Sequence, residues 1–376
     1  MTRTLWRQAV GGIVLAVLAQ CVAAQAAANS PLVRVLLESS QDTITLEGAG
    51  GATYRVARHG KTGLRVNGLP VGDHWETPRP GVQQVLGWRA RGRVRFVRRA
   101  EEILVVAHVP LEAYVEGTVG REMPTSWSAD ALRAQAVVSR TYALYAVRRP
   151  TDPDYDLEAT VMSQLFGGDA AVVPSVRSAV AATRGEYLAH HGAPILAVFH
   201  SASGGRTAGS EEVWGRSLPY LQSQVVRDED EAPSTYWRAS LSRPTLRRLL
   251  VERGVDVGAQ PEVEVLSRWP SGRVKQVRVR GSEGTVEFAG QLLRDAVGLN
   301  ILKSTLFEVR GDPAEIVFVG SGHGHGVGMS QWGARSMARR GADHREILAT
   351  FYPGATMAIL PNASIAAKFA EGGRER

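Results

Sequence analysis

The chain has 376 residues, 44% of them hydrophobic, and its 44 lysines and arginines against 37 aspartates and glutamates give a formal net charge of +7. This size allows two domains or one large domain with an insertion, and the basic charge suits an anionic partner. With Cys21 as its one cysteine, the chain has no disulfide framework, and it carries no zinc-finger or aromatic RNA-binding signature, so we expect no nucleic-acid partner.

The first 28 residues are predicted to be a secretory signal peptide. Arg3 and Arg7 form a short basic segment, residues 9–19 are apolar, and the small-residue run AAQAAAN follows. Two alternatives stay open: an uncleaved membrane anchor, and lipidation of Cys21 in LAQC, although Gln20 is large for a residue before such a cysteine. We therefore expect an exported protein of the periplasm or cell wall, attached to the membrane only in those two cases. Cleavage would leave the mature chain without a thiolate for zinc or catalysis.

Residues 31–108 are predicted to form a β-rich leading domain. Short runs such as VRVLL, TITLE and TYRVA alternate with glycine-rich turns. In GWRARGRVRFVRR every second residue from Arg89 to Arg95 is arginine, so one strand face carries only guanidinium groups. This face is either the solvated side of an edge strand or a rail for an anionic polymer.

Helical patterns begin near residue 109. LEAYVEG predicts a short helix after Pro110, and GREMP a turn before the longer segment SADALRAQAVVSRTYALYAVRR. Small residues recur at helical spacing in that segment, which we interpret as the central helix of the fold; the stripe comprises Leu132, Ala136, Ser139, Ala143 and Ala146.

The remaining segments predict an α+β fold: a helical core around the long alanine-rich helix, a β-rich leading region and an inserted α/β lobe at about residues 244–310. A helix is expected over residues 173–183, and a hairpin in EYLAHHGAPILAVFH with its turn near His191 and Gly192. Two short helices are expected in SQWGARSMARR and HREILATFYPG, and residues 366–376 as a frayed tail.

Glycine occupies every second position from Gly320 to Gly328, at the start of the stretch GSGHGHGVGMSQWGARSMARRG, residues 320–341. In an extended strand one face would be bare backbone, and the other would carry His323 and His325. Glycine weakens a strand unless another backbone or a ligand comes close. We therefore interpret the stretch as a strand edge built for close approach. The spacing does not fit G-x-G-x-x-G, so a dinucleotide site is not expected.

Three groups of residues could carry chemistry. Glu122 in GREMP is a lone acid: apolar neighbours would raise its pKa, whereas the following helix N-terminus would lower it. From spacing alone it could equally be a capping residue or an ion-pair partner of Arg140. HSASGG at residues 200–205 is not a G-x-S-x-G elbow, and no triad acid is identifiable; the alternative is a turn with hydroxyl caps.

The third group is His200, His323 and His325, which could share a metal. The sequence fixes no carboxylate beside them, so we expect no metal and no cofactor.

Four motifs together resemble the stage II sporulation protein D family, also called SpoIID/LytB. They are VPLEAYVEGTVGREMPTSWSADALRAQAVVSRTYAL, SQLFGG, FHSASGGRTAGSEEVWGRSLPYLQS and GHGHGVGMSQWGARSMARRG, with ILATFYPGA behind them. The resemblance implies a catalytic domain at residues 109–365 with lytic transglycosylase activity. Such enzymes cut peptidoglycan glycan strands, preferably peptide-free ones, and leave 1,6-anhydromuramic ends. The family's essential acid maps onto Glu122.

Substrate-binding residues are expected within the same motifs, although the resemblance does not fix their individual roles. We expect sugar contacts from Arg140, Gln164, His200, Ser203, Tyr220, His325, Ser330 and Gln331. Some family members hold zinc through cysteines near SQLFGG and HSASGG, but this chain has Ser163 and Ser203 there. The alternative function is a non-catalytic enhancer of an N-acetylmuramoyl-L-alanine amidase, so the expected partners are glycan strands and a cell-wall amidase.

Overall fold

The computed structural model describes residues 31–361, except 162, 228, 230 and 312–314. The predicted signal peptide, Cys21 and the tail at 366–376 lie outside the described residues. Within them the chain forms two compact units. The first comprises residues 31–125, 139–187 and 358–361, and the second comprises 126–138 and 188–357. The fold is α+β, as predicted.

The first unit contains a ten-stranded sheet in which the order is β10-β1-β9-β8-β7-β2-β3-β4-β5, with β6 paired to β8. Its strands are β1 Leu32–Ser40, β2 Ile44–Glu47, β3 Thr53–His59, β4 Gly63–Val66, β5 Leu69–Gly72, β6 His74–Glu76, β7 Gly81–Val85, β8 Trp88–Arg99, β9 Glu102–Pro110 and β10 Leu157–Glu158. Burial alternates along them; in β2, Ile44 and Leu46 are buried while Thr45 and Glu47 are exposed. The strand pattern of the leading region is thus explained by one apolar face.

The alternating arginines lie on β8, which is not an edge strand. It pairs with β7 on one side and with β9 on the other, so the edge-strand alternative is wrong. Arg91 forms ion pairs with Glu116 and Asp169, both at 2.5 Å, and Arg93 lies 3.3 Å from Glu76. These internal carboxylates pair with two of the guanidinium groups that would be needed to bind an anionic polymer.

The helices of the first unit are α1 Leu111–Glu122, α2 Ala129–Arg148 and α3 Pro174–Ala182, and α2 is divided between the two units. The small-residue stripe of α2 is buried from Leu132 to Ala143, while Ala146 is half-buried. Small side chains on a buried helix face allow neighbouring backbone to pack closely. Pro174 occupies the first turn of α3, where its missing N–H has no intrahelical partner to lose.

The second unit combines short strands with short helices. Strands β11 Glu186–His190 and β21 Thr356–Ile359 are divided between the two units, as α2 is. The other elements of the second unit are β12 Ala193–Pro194, β13 Phe199–His200, α4 Ser210–Trp214, β14 Trp237–Ser242, α5 Arg243–Val251, β15 Glu262–Arg268, β16 Val274–Gly281, β17 Gly284–Ala289, α6 Gly290–Val297, β18 Phe307–Gly311, β19 Glu315–Gly320, β20 Met329–Ser330, α7 Gln331–Arg339 and α8 His344–Phe351. The predicted hairpin forms between β11 and β12, and His191 at its turn has a positive φ of 49°. Asp343 and Glu346 form a capping box at the start of α8.

Residues 237–318 build a hydrophobic cluster of their own. Its members include Trp237 and Leu246 and extend to Phe307 and Phe318. Strands β14, β19 and β18 form one three-stranded sheet and β15, β16 and β17 another, with α5 and α6 contributing apolar faces. The expected lobe limits of 244–310 stay a prediction. No helix among the described residues has the length and apolar character needed to span a membrane.

Candidate active site

Glu122 is the last residue of α1 and is half-buried. Its Oε1 accepts a hydrogen bond of 2.7 Å from the backbone N–H of Leu165. That bond fixes the position of one carboxyl oxygen. The carboxyl group is therefore oriented by the loop SQLFGG, which lies 43 residues further along the chain.

The loop SQLFGG is held on α1 by close packing. The Gly167 N–H donates to the Gly117 carbonyl at 3.0 Å, and the Phe166 ring stacks on Tyr114 with centroids 5.3 Å apart. A Cβ at Gly117 would lie 2.6 Å from the Phe166 ring, and one at Gly120 would lie 1.9 Å from the carbonyl oxygen of Ala171, three residues after the loop. The glycines of α1 thus permit the contact that places Leu165 beside the acid.

Gln164 lies next to this contact and is buried. Its Oε1 accepts a 2.9 Å hydrogen bond from the Tyr114 hydroxyl, and its Nε2 is buried without a hydrogen-bond partner among the described residues. Burial raises the pKa of Tyr114, and the nearby charge of Glu122 acts in the same direction. The structure therefore brings Gln164 and Glu122 into one neighbourhood; sugar binding by Gln164 stays a prediction.

Arg140 is fully buried, and its guanidinium forms an ion pair with Glu112. Nε and Nη2 donate to the two carboxyl oxygens of Glu112 at 2.9 and 2.6 Å, and Nη1 donates to the Glu186 carbonyl at 3.0 Å. A bidentate pair of this kind fixes both side chains. In this structure Arg140 joins α2 to α1, and its contact with substrate stays a prediction.

The glycine-rich stretch in the second unit is not an extended strand, which corrects the prediction. Gly322, Gly324, Gly326 and Gly328 have φ values of 78°, 110°, 84° and 71°. These values lie in the left-handed region, so the alternation reflects repeated backbone reversals and not two strand faces. The close approach itself is present, because a Cβ at Gly328 would lie 2.0 Å from the Val198 carbonyl oxygen.

The same stretch packs against the HSASGG loop. Ala202 and His323 exchange backbone hydrogen bonds of 3.1 and 2.8 Å, and β13 pairs with β20 in parallel, with His200 opposite Ser330. A Cβ at Gly324 would lie 2.7 Å from the Cβ of His200. The glycines therefore serve contact between two parts of the protein itself.

His325 is a structural histidine in this arrangement. Its Nε2 lies 2.9 Å from the Phe199 carbonyl oxygen, and its Nδ1 accepts from the Val327 N–H at 3.0 Å. These partners fix a neutral ring with the proton on Nε2, and burial lowers the pKa of His325 to about 4. Both ring nitrogens are thus occupied by backbone, so the predicted hydrogen bonds to sugar would require these contacts to break.

His200 keeps one nitrogen available. Its Nδ1 lies 3.1 Å from the Val327 carbonyl oxygen, while the buried Nε2 has no hydrogen-bond partner among the described residues. Burial lowers the pKa of His200 well below its usual range. The His200 and His325 rings lie 5.7 Å apart. Within the described parts of the chain, no group of three or more His, Cys, Asp or Glu residues has the geometry to hold a metal.

Glu229 is the residue that sequence reasoning missed. It is 5% exposed and accepts from the backbone N–H groups of Ser203, Gly204 and Gly205 at 3.0–3.2 Å. The Ser203 hydroxyl donates to it at 2.5 Å, and the Ser330 hydroxyl donates to its other oxygen. Both serines are fully buried; their predicted role in substrate binding stays a prediction. The only sequence signal was an acidic run, DEDE, which is typical of a solvated loop.

The remaining predicted residues are also in the second unit. Tyr220 is 8% exposed and its ring lies 5.4 Å from His190, and the Nε2 of Gln331 donates to Gln135 at 3.4 Å. Trp214, at the end of α4, is 46% exposed and lies 5.5 Å from the His325 ring. Trp214 is therefore a surface aromatic residue beside His325, whose two ring nitrogens both contact backbone.

Comparisons with known proteins agree with these motifs. A family model described as "Stage II sporulation protein" (SpoIID) matches residues 99–190, and one described as "Domain of unknown function (DUF8618)" matches residues 220–328. The stage II sporulation protein D of Bacillus amyloliquefaciens is 31% identical over 266 residues, which is 66% of this chain and 74% of that protein. An uncharacterised protein of Brachyspira hyodysenteriae is 30% identical over 70% of each chain. The amidase enhancer of Bacillus subtilis is 30% identical over 65% of this chain and 40% of that protein.

This chain belongs to the SpoIID family, as the sequence motifs predicted. The 99–190 match contains α1, Glu122 and the SQLFGG loop, whereas the 220–328 match contains Glu229 and the separate hydrophobic cluster. The HSASGG loop lies between the two matched segments.

Proposed function

We propose that this protein is an exported lytic transglycosylase that cleaves the glycan strands of peptidoglycan, with Glu122 as its catalytic acid. The observation that carries the proposal is the geometry of that carboxyl group. The residue is half-buried, and one of its carboxyl oxygens accepts a 2.7 Å hydrogen bond from the Leu165 N–H. When the group is protonated, Oε1 is the acceptor for that N–H, so the proton is on Oε2 and can be delivered in a fixed direction.

The reaction needs one group that first donates and then accepts a proton. Glu122 protonates the glycosidic oxygen, and the bond from that oxygen to the muramic C1 breaks. The C6 hydroxyl oxygen attacks C1, and its proton passes to the Glu122 carboxylate, which restores the acid. No water is consumed, so the product has a 1,6-anhydro ring in place of a reducing end. This chemistry differs from ordinary glycoside hydrolysis, which uses two carboxyl groups.

The test is digestion of peptide-free glycan strands followed by mass spectrometry of the ends. We expect anhydromuramic ends with the wild type and a loss of about 10²–10⁴-fold in rate with Glu122→Gln. The glutamine oxygen can still accept the Leu165 N–H, so the fold should persist, as circular dichroism can verify. Glu308→Gln, at an exposed position in the other unit, is the matched control. Near-wild-type cleavage by folded Glu122→Gln would contradict the proposed role.

A second function is supported by a relative's name. A protein 30% identical to this chain is named amidase enhancer, so the chain would bind an N-acetylmuramoyl-L-alanine amidase or its wall substrate without cutting glycan. Adding the protein to such an amidase with intact peptidoglycan and measuring released stem peptides separates the two functions. Faster peptide release without new anhydromuramic ends would favour the enhancer.

A further inference from the structure

A polar cleft lies at one end of the leading β-sheet, where the β1–β2, β3–β4 and β8–β9 turns meet. It has a volume of about 510 Å³. Its lining carries four cations and two acids, which gives a net charge of +2; these residues are Arg58, Lys61, Arg65, Arg98, Asp42 and Glu101. The cleft contains neither Glu122 nor any other residue assigned to glycan cleavage.

Arg98 is the unusual member of this set. Its side chain is 3% exposed, and its Nε and Nη1 are buried without a hydrogen-bond partner among the described residues. Its nearest carboxylate is Glu101, whose Oε2 is 3.7 Å from Nη2. Glu101 is exposed and makes its shorter contact, 2.6 Å, with Arg58. A buried guanidinium with two unpaired nitrogen atoms is unfavourable by itself.

Two other arginines of the same strand have close carboxylate partners. Arg91 pairs with Glu116 and Asp169, and Arg99, the neighbour of Arg98, pairs with Asp152 and Asp154. These side chains alternate with Arg98 along β8 and therefore belong to the opposite face of the strand. The fold supplies close internal carboxylates to Arg91 and Arg99, whereas it leaves Arg98 with one distant, exposed acid.

We propose that this cleft binds a phosphate group, with Arg98 as its buried contact and Lys61 and Arg65 at its exposed rim. A net charge of +2 matches a phosphate dianion, and guanidinium N–H groups are strong donors to phosphate oxygens. The cleft is much larger than one phosphate group, so a phosphorylated sugar or glycerol unit fits its size. Such a unit can be a small molecule or part of a phosphate-bearing polymer.

Calorimetric titration of the full chain tests the proposal. We expect saturable binding of glycerol 3-phosphate, weakened by added NaCl, and at least tenfold weaker binding of succinate, a dicarboxylate of the same charge. Arg98→Gln should weaken phosphate binding by about tenfold, the loss expected for one charge-assisted contact. Arg280→Gln, an exposed arginine in the other unit, removes the same charge and should leave binding unchanged.

A second variant and a second phosphate ligand complete the test. Lys61→Gln, at an exposed position, should fold and weaken binding by about threefold, which keeps the test decisive if Arg98→Gln fails to fold. Short-chain polyphosphate that binds more tightly per phosphate than glycerol 3-phosphate identifies a polymer as the ligand, and the reverse order identifies a small phosphate. Equal binding of succinate, or unchanged phosphate binding in the folded Arg98 and Lys61 variants, would overturn the proposal.

Discussion

Replacing Gly326 by alanine should destabilise the second unit by more than the positive φ at this position would cost by itself. Gly326 has a φ of 84°, and a Cβ there would lie 2.2 Å from Nη2 and 2.5 Å from Cζ of Arg273. Arg273 is 1% exposed, and its Nη2 donates to the carbonyls of Ser203 and Arg206 at 3.0 and 3.3 Å. The guanidinium therefore cannot move away without losing contacts that hold the HSASGG loop.

The size of the effect follows from two contributions. A positive φ costs a non-glycine residue about 1–2 kcal/mol, and overpacking of a filled interior costs about 1–3 kcal/mol. We therefore expect Gly326→Ala to lower the free energy of unfolding by about 2–5 kcal/mol. Gly254 is the matched control, because its φ is 78° and an added Cβ would meet no atom within 4 Å. Gly254→Ala should lose about 1–2 kcal/mol.

Urea denaturation of both variants and the wild type measures this difference. The two alanine variants should differ by about 1–3 kcal/mol, with Gly326→Ala the less stable. Valine at position 326 is larger and should be worse still. If the two alanine variants lose the same stability, the contact with Arg273 is not a packing constraint. Close approach would then not be what requires these glycines.

Two other properties can be tested in the same unit. Glu229→Gln places an amide among buried donors and should lower the free energy of unfolding by about 2–4 kcal/mol. The control is Glu231→Gln, at an acid that is 57% exposed, which should lower it by under about 1 kcal/mol. Equal losses in urea denaturation would contradict the structural role of Glu229. His325 has a pKa of about 4 in the folded protein, below its unfolded value of about 6.5, so its contribution is fully present above pH 6.5 and is lost as the pH falls towards 4. At pH 5 we expect a loss of about 1–2 kcal/mol relative to pH 7, smaller in His325→Gln, and NMR titration of the His325 ring should show no inflection above pH 5.5.

Local signals in the sequence predicted much of the fold. The sequence placed α3, α7 and α8 within a few residues, the last two from the glycine or proline that follows each, and β-type runs between glycine-rich turns placed β1, β2 and β3. The glycine stretch was predicted wrongly for a physical reason. Alternating glycines are compatible with a strand and also with repeated left-handed turns, and glycine itself has no preference between them.

The candidate site was less predictable because its contacts are long-range. The bond from Leu165 to Glu122 spans 43 residues, and the bond from Ser330 to Glu229 spans 101. Nothing in the run DEDE distinguishes the buried Glu229 from the exposed Glu231. The selection depends on which carboxylate meets the backbone N–H groups of the HSASGG loop, and that is decided only when the loop is folded.

The hydrogen bonds of the second unit also explain why two of the motifs occur together. The HSASGG loop and the glycine stretch are folding partners: His325 binds the Phe199 carbonyl, and His200 contacts that of Val327. Ser203 and Ser330 share one carboxylate, Glu229. Each motif thus requires the other for a buried polar group, since an unpaired one is costly. Folding alone is a sufficient reason for these residues, so their presence does not indicate a catalytic role. Glu122 is different, because it belongs to neither of these two motifs, and the proposed activity therefore depends chiefly on that residue.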